Sequence, residues 1–209
     1  MCGQSQARGV DPRVERSRKV IRQAALDELG ALGYGAFTIE SVAARAHVGK
    51  STIYRLWRDK LDLIADAFET AHEHMVPELA SGTATQRITV LIRHVAEVTA
   101  DSTFSRCIPA LIEGAQHDPR LREFHMRYSA QRRQSLTDLV AEGIRDDEFA
   151  ADIDPDLAVQ ALLGAVFYGR LMSGDPFDPD RATDLVKTVL HPRMRSSAAR
   201  RSRSGAAAT

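Results

Sequence analysis

Lys50, Ser51, Thr52, Tyr54 and Arg55 put two cations and three hydroxyls within six consecutive residues. Side chains of these types can bond to duplex DNA. Cations and hydroxyls meet phosphate oxygens, and an arginine fork matches the acceptor pair of guanine in the major groove.

A rigid element has to present such a group. Just before it, Ile39, Val42, Ala43 and Ala46 recur at i, i+3, i+4 and i+7, which predicts a short helix with one narrow apolar stripe. Thr38 fits the N-cap of that helix, and Glu40 lies in its first turn near the positive end of the dipole. A second helix is predicted to start after Gly49, burying Val48, Ile53 and part of Trp57 and leaving Lys50, Ser51, Thr52, Tyr54 and Arg55 mostly outward. Two short helices joined by a three-residue turn make a helix-turn-helix, whose second helix lies in the major groove with its N-terminal residues at base edges.

Charge is sorted along the chain in the same sense. The formal net charge of the 209 residues is zero. Residues 1–60 nevertheless carry 11 basic and 6 acidic side chains, residues 61–190 carry 12 and 22, and residues 191–209 carry 5 and none. A basic head on an acidic body fits a DNA reader joined to a regulatory domain off the DNA. Arginine outnumbers lysine 24 to 4, a composition that goes with a GC-rich bacterial genome. No apolar run approaches the roughly 20 residues needed to span a bilayer, and the polar N-terminus lacks a signal-peptide core, so a cytoplasmic protein is expected. Two cysteines, Cys2 and Cys107, give neither a disulfide framework nor a paired metal motif.

Beyond residue 60 the pattern is helical throughout, and the fold class expected is all-α with about nine helices. The fourth helix takes Asp59 as its cap and carries Leu61, Ile64, Ala65, Phe68, His72 and Met75 on one face, ending before Pro77. Helices follow at about 85–101 and 104–117. Three more start at Asp-Pro pairs, Asp118-Pro119, Asp154-Pro155 and Asp178-Pro179, because Asp caps free N–H groups and Pro fits the first helical position. They run to about 146, 172 and 190. The domain division expected is a tail at 1–12, a helix-turn-helix domain at 13–59, a helical regulatory and dimerisation domain at 60–191 and a basic tail at 192–209, both tails lacking an apolar face and expected to be disordered.

Residues 13–75 resemble the N-terminal domain of TetR-type (tetracycline-repressor-like) transcriptional regulators. Arg18–Leu32 followed by Gly33-Tyr34-Gly35-Ala36-Phe37-Thr38 resembles that family's first helix and its Gly-aromatic entry to the second. Val48–Trp57 is similar to the recognition segment, and Arg58-Asp59-Lys60-Leu61 to the junction with the fourth helix. The chain departs from the pattern at His47, where glycine is usual, and at Gly49, often serine. The turn residue tends to need positive φ, a conformation in which His is among the enriched non-glycine residues.

By position in the family's motif, Thr38, Tyr54 and Lys60 look like phosphate ligands. Lys50, Ser51, Thr52 and Arg55 look like residues facing bases or adjacent phosphates. Arg45 fits a phosphate contact or a plain surface charge equally, and Trp57 fits core packing with its edge near the DNA backbone. The resemblance further implies a homodimer on near-palindromic double-stranded operator DNA, an unidentified small-molecule effector acting through the fourth helix, and repression in preference to activation. A pocket of apolar walls with polar tips is expected from Phe104, Cys107, Leu111, Phe124, His125, Tyr128 and Phe167. Within it, His125 also reads as a core histidine and Cys107 as an inert buried thiol. The eighth helix is apolar on most sides and so must be covered on most sides. Ala161, Ala165, Tyr168 and Met172 on it, with Leu185 and Val189 on the ninth, are the dimer contacts expected.

No cofactor, metal site or membrane partner is expected. A helical enzyme finds no support in the motifs: HExxH, GxSxG and GxxxxGK are absent, and His72 and His74 at i and i+2 point apart on a helix. A helical adaptor whose helix-turn-helix binds protein is the other alternative, and steep salt dependence of DNA binding separates it from a regulator.

Overall fold

A computed structural model describes residues 12–75, Pro77 and 81–191. The expected tails lie outside the described residues except for Pro12, and so do the side chains of His72, His74 and Met75. The described residues form nine α-helices and no strand: α1 (Pro12–Ala36), α2 (Ile39–Arg45), α3 (Lys50–Leu56), α4 (Lys60–Met75), α5 (Ala84–Ala100), α6 (Thr103–His117), α7 (Pro119–Arg145), α8 (Pro155–Tyr168) and α9 (Ala182–Leu190). α1 starts ahead of Arg18–Leu32, the stretch that carries the resemblance to a first helix, and Gly33 (φ 75°) breaks it near its end, turning the chain toward α2. α8 ends sooner than expected, because a π-turn at Gly169–Ser173 takes over from it. That turn brings the chain so close to its own continuation that a methyl on Gly169 would lie 2.6 Å from the carbonyl oxygen of Asp175. A single 3-10 turn, Pro179–Arg181, leads into α9.

The Asp-Pro pairs work as helix starts. Asp118 Oδ1 accepts from the amides of Arg120 (2.9 Å) and Leu121 (3.3 Å). Asp154 Oδ1 accepts from Asp156 and Leu157, and Asp178 Oδ1 from Asp180. Elsewhere hydroxyls do the same: Thr38, Thr83 and Ser102 each bond the third amide of the helix they precede, and the side chain three residues on returns the bond.

Packing divides the described residues into two compact units, and the division does not follow the boundary expected at 59/60. One unit joins the residues before Val76 to Ser102–Met126, so α4 and α6 pack with the helix-turn-helix. Their apolar faces cover α1: Ile21, Leu29, Phe37, Ile53, Leu63, Ile64, Phe68 and Leu121 are its largest sealed side chains. α1 and α6 approach closely at small residues. A methyl on Gly114 would meet the Tyr34 ring at 2.6 Å, and one on Gly30 would lie 3.1 Å from Arg106 Cβ.

The second unit holds α5, α8, α9 and the later turns of α7 around Ile88, Ile92, Leu136, Val140, Phe149, Val159, Leu162, Val166, Val186 and Leu190. Glu148, just after α7, is buried at 6% exposure. Its carboxylate accepts from the Ala84 amide (3.2 Å), the Thr85 amide (3.1 Å) and the Thr85 hydroxyl (3.0 Å), so it sits on the positive end of α5. Glu148→Ala removes three charge-assisted bonds from a sealed helix terminus and is expected to cost about 2 kcal/mol. Chemical denaturation is expected to show a lowered midpoint with an unchanged slope, and Glu148→Gln is expected to fall between the two.

Candidate nucleic-acid interface

α2 and α3 are seven residues each, too short to persist alone in water. Their geometry is imposed. Ile39, Val42, Ala43 and Ala46 are buried as their spacing predicts. His47 takes φ 54°, the left-handed conformation expected where the chain lacks glycine. Gly49 precedes α3 and offers no capping side chain. Ile53 is fully sealed, and Trp57, extended at the end of α3, is 4% exposed.

Asp66 of α4 holds that end of α3. Its Oδ2 accepts from Trp57 Nε1 at 2.7 Å and from Arg22 Nε at 2.8 Å, and its Oδ1 accepts from Arg22 Nη2 at 3.2 Å. Arg18 lies over the Trp57 ring, 5.6 Å from its centroid. The indole is therefore structural, clamped between α1 and α4, and Asp66 and Arg22 are residues that sequence reasoning missed.

The candidate DNA contacts differ in their freedom. Ser51, Tyr54 and Arg55 are exposed, and Thr52 is partly so. Arg55 has no ion-pair or hydrogen-bond partner among the described residues. Lys50 Nζ reaches Glu40 Oε1 at 3.0 Å, both side chains being more than half exposed. Lys50, by bond and by charge, holds the Glu40 carboxyl below its usual range. Arg45 Nη2 lies 3.3 Å from Glu28 Oε2, a buried carboxylate of α1. Thr38 is exposed while its hydroxyl caps α2. Lys60, at the start of α4, holds its ammonium 4.0 Å from the centroid of the Tyr34 ring.

Around Lys60 the structure assembles a group that no motif announces. The Tyr34 hydroxyl donates to Asp118 Oδ2 at 2.5 Å, and Arg120 Nη2 donates to Asp59 Oδ2 at 2.8 Å. Burial, together with the Asp118 bond and charge, pushes the phenol well above its ordinary range. The same bond pulls the Asp118 carboxyl down. Asp59 is lowered by the Asp62 amide and by Arg120. The sequence shows three of its members singly, Asp59 and Asp118 as helix caps and Lys60 in the junction motif, but none of the pairings among them.

The residues expected to line a pocket fall in both units. In the first, Phe104 and Phe124 both pack on Phe68 of α4, with ring centroids 5.1 and 6.3 Å away. His125 is half-buried, and desolvation lowers its pKa. Leu111 is buried, and Cys107 faces α1, its thiol donating to the carbonyls of Leu26 (3.1 Å) and Thr103 (3.2 Å). Burial pushes that thiol up to about 12, leaving it in the unreactive protonated form. Tyr128 is buried beneath Arg132, and Phe167 is half-buried on α8; both belong to the second unit. Of the residues expected at a dimer contact, Ala161, Tyr168 (63%) and Met172 (74%) are exposed, and Ala165, Leu185 and Val189 are half-buried. Among the described residues no group of three or more His, Cys, Asp or Glu is placed to hold a metal ion, and no helix is long and apolar enough to cross a membrane.

A helix-turn-helix clamped on a helical body defines the class: a DNA-binding protein of all-α architecture. Two family models match the chain, "Bacterial regulatory proteins, tetR family" over residues 21–67 and "Tetracyclin repressor-like, C-terminal domain" over residues 79–189. The HTH-type transcriptional regulator YdeS of Bacillus subtilis is 31% identical over 180 residues, 86% of this chain and 90% of that protein. The DNA-binding transcriptional repressor TetR of Mycobacteroides abscessus is 30% identical, over 76% of this chain and 83% of its own. Among solved structures, the TetR family transcription regulator SCO0332 superposes with a TM-score of 0.65 at 27% identity, covering 84% of this chain and 97% of that one. FadR of Bacillus subtilis, solved with stearoyl-CoA, superposes at 0.66 with 20% identity over 82% and 97%, a likeness of fold. The chain belongs to the TetR family and is a DNA-binding, ligand-responsive transcriptional regulator.

Trp57 is the chain's one tryptophan, so the clamp reports on itself. Asp66→Ala leaves the indole N–H and the Arg22 guanidinium without their acceptor and is expected to destabilise by about 2 kcal/mol. Tryptophan emission is expected to shift to the red under native conditions. An unshifted spectrum with unchanged stability would mean that Asp66 does not hold α3.

Proposed function

We propose that the chain is a cytoplasmic repressor that binds a near-palindromic operator as a homodimer and leaves it when a small-molecule effector binds. In this reading Lys50, Ser51, Thr52 and Arg55 face base edges or adjacent phosphates, while Thr38, Tyr54 and Lys60 hold phosphates. Arg45 adds charge beside them, and Trp57 serves by fixing the angle of α3. The observation that carries the reading is the two-sidedness of α3: Ile53 and Trp57 are sealed, whereas Tyr54 and Arg55 stand in solvent, Arg55 with no carboxylate partner among the described residues.

The dimer rests on an apolar stripe. Leu157, Ala161, Tyr168 and Met172 lie exposed along α8 and its π-turn, and a methyl on Gly164 would meet nothing within 4 Å. A symmetric dimer on a near-palindrome presents two recognition helices to successive major grooves, about 34 Å apart, one turn of duplex. An effector of apolar body suits Phe104, Phe124 and Phe68. FadR, a fold neighbour, was crystallised with stearoyl-CoA, an effector class worth testing first.

Anisotropy titration of duplexes tiled across the gene's own upstream region, against random duplex, tests the reading. Arg55→Ala is expected to weaken operator binding by about 1–3 kcal/mol and to relax preference at one base pair if Arg55 reads guanine. Equal losses on operator and random DNA would mark a phosphate contact instead, and no binding to any duplex would end the proposal. Tyr168→Glu, which sets a charge in the apolar stripe, is expected to shift sedimentation from dimer to monomer. Sedimentation unchanged from the parent would remove α8 from the dimer contact.

A further inference from the structure

Five side chains close a ring around the start of α4: Lys60 on Tyr34, Tyr34 on Asp118, Arg120 on Asp59, with Asp118 and Arg120 joined through the first turn of α7 and Asp59 and Lys60 through their peptide bond. Two of the five, Asp118 and Arg120, stand at the start of α7, about sixty residues beyond the helix-turn-helix in sequence but in the same compact unit. Tyr34 is buried, and the base of its side chain packs against Gly114 of α6 with no room even for a methyl.

The arrangement settles which cation meets which anion. Asp59 adjoins Lys60 in sequence and Asp118 bonds the tyrosine on which Lys60 rests, yet both carboxylates are already bonded elsewhere. Asp59 gives one oxygen to the Asp62 amide and the other to Arg120. Asp118 gives one to the amides at the start of α7 and the other to the Tyr34 hydroxyl. Lys60 has no carboxylate partner among the described residues and rests on a ring face, with no ion pair to break before its ammonium meets a phosphate.

We propose that Arg120, with Asp118 and Tyr34, is a positioning residue for DNA binding: it occupies the Asp59 carboxylate and so keeps the Lys60 ammonium available to a DNA phosphate. The inference rests on the reading of Lys60 as a phosphate ligand. It makes affinity depend on the start of α7, through charge pairing and without any contact between that helix start and DNA.

The test uses the full chain, operator and random duplexes, and anisotropy titrations at several salt concentrations. Arg120 is two-thirds exposed, so its removal spares the core. Arg120→Ala is expected to lower affinity about fivefold on both duplexes, the size of an exposed charge pair. It is also expected to flatten the salt slope by up to about 0.9, one phosphate's worth. Arg120→Lys is expected to recover most of the loss. In a Lys60→Gln background Arg120→Ala is expected to change nothing further. Adding Asp59→Asn, which still caps α4, is expected to restore binding to Arg120→Ala. A full loss persisting in the Lys60→Gln background would make Arg120 itself a DNA ligand, and unchanged affinity in Arg120→Ala would remove it from binding; either result overturns the inference while leaving the function intact. A parent protein that binds no duplex overturns both.

Discussion

A helix of two turns cannot hold its own shape in water, and α3, the element on which DNA recognition turns, is two turns long. Everything useful about it is borrowed from neighbours. Ile53 fixes its inner face, and Trp57 fixes where it stops. The Asp66 carboxylate ties that indole and the α1 guanidinium of Arg22 to one point on α4. Any shift of α4 against α1 must therefore be felt at the recognition helix, since all three share a single acceptor. The coupling that a regulator needs is built into the same bonds that fold its head.

Charge is handled with matching economy. Acidic residues in this unit accompany most cations near the reading surface: Glu28 with Arg45, Glu40 with Lys50, Asp62 with Arg58, Asp59 with Arg120. The last three of these pairs are largely exposed and contribute little to stability. Their greater effect is on which positive charges remain uncommitted. Among the described residues Arg55 and Lys60 are left without carboxylates, one on the face of α3 and one at the head of α4. The excess of basic residues over the first sixty positions is thus resolved into a few available charges.

What the sequence disclosed was local. Thr38 as a cap, the extent of α4 and the three Asp-Pro starts all follow from interactions spanning four residues or fewer, and periodicity or capping chemistry shows such interactions directly, whereas the left-handed His47 was legible only through the family's glycine there. The family motif extended that legibility to the outward face of α3. Distant pairings left no comparable trace. Tyr34 and Asp118 are 84 positions apart, and neither has a pattern that names the other. Asp66 stands on an amphipathic helix, and nothing in its local pattern points to Trp57 or to Arg22, 44 positions away. Cys107 read both as a pocket residue and as an inert buried thiol, and only the packing reveals that its thiol faces two backbone carbonyls. The division at 59/60 followed the motif, while the apolar faces of α4 and α6 follow α1.

The unit that carries the helix-turn-helix is discontinuous: the chain leaves it after α4 and re-enters it at α6, where Gly30 and Gly114 let two helices touch. Modular exchange of DNA-binding heads between relatives is consequently not a matter of one crossover. A transplanted head would arrive without the helix that covers its longest element, exposing Leu26, Leu29 and Tyr34 to solvent. Recombination that moves operator specificity from one member to another must carry two separated gene segments together, or else confine itself to the few outward positions of α3.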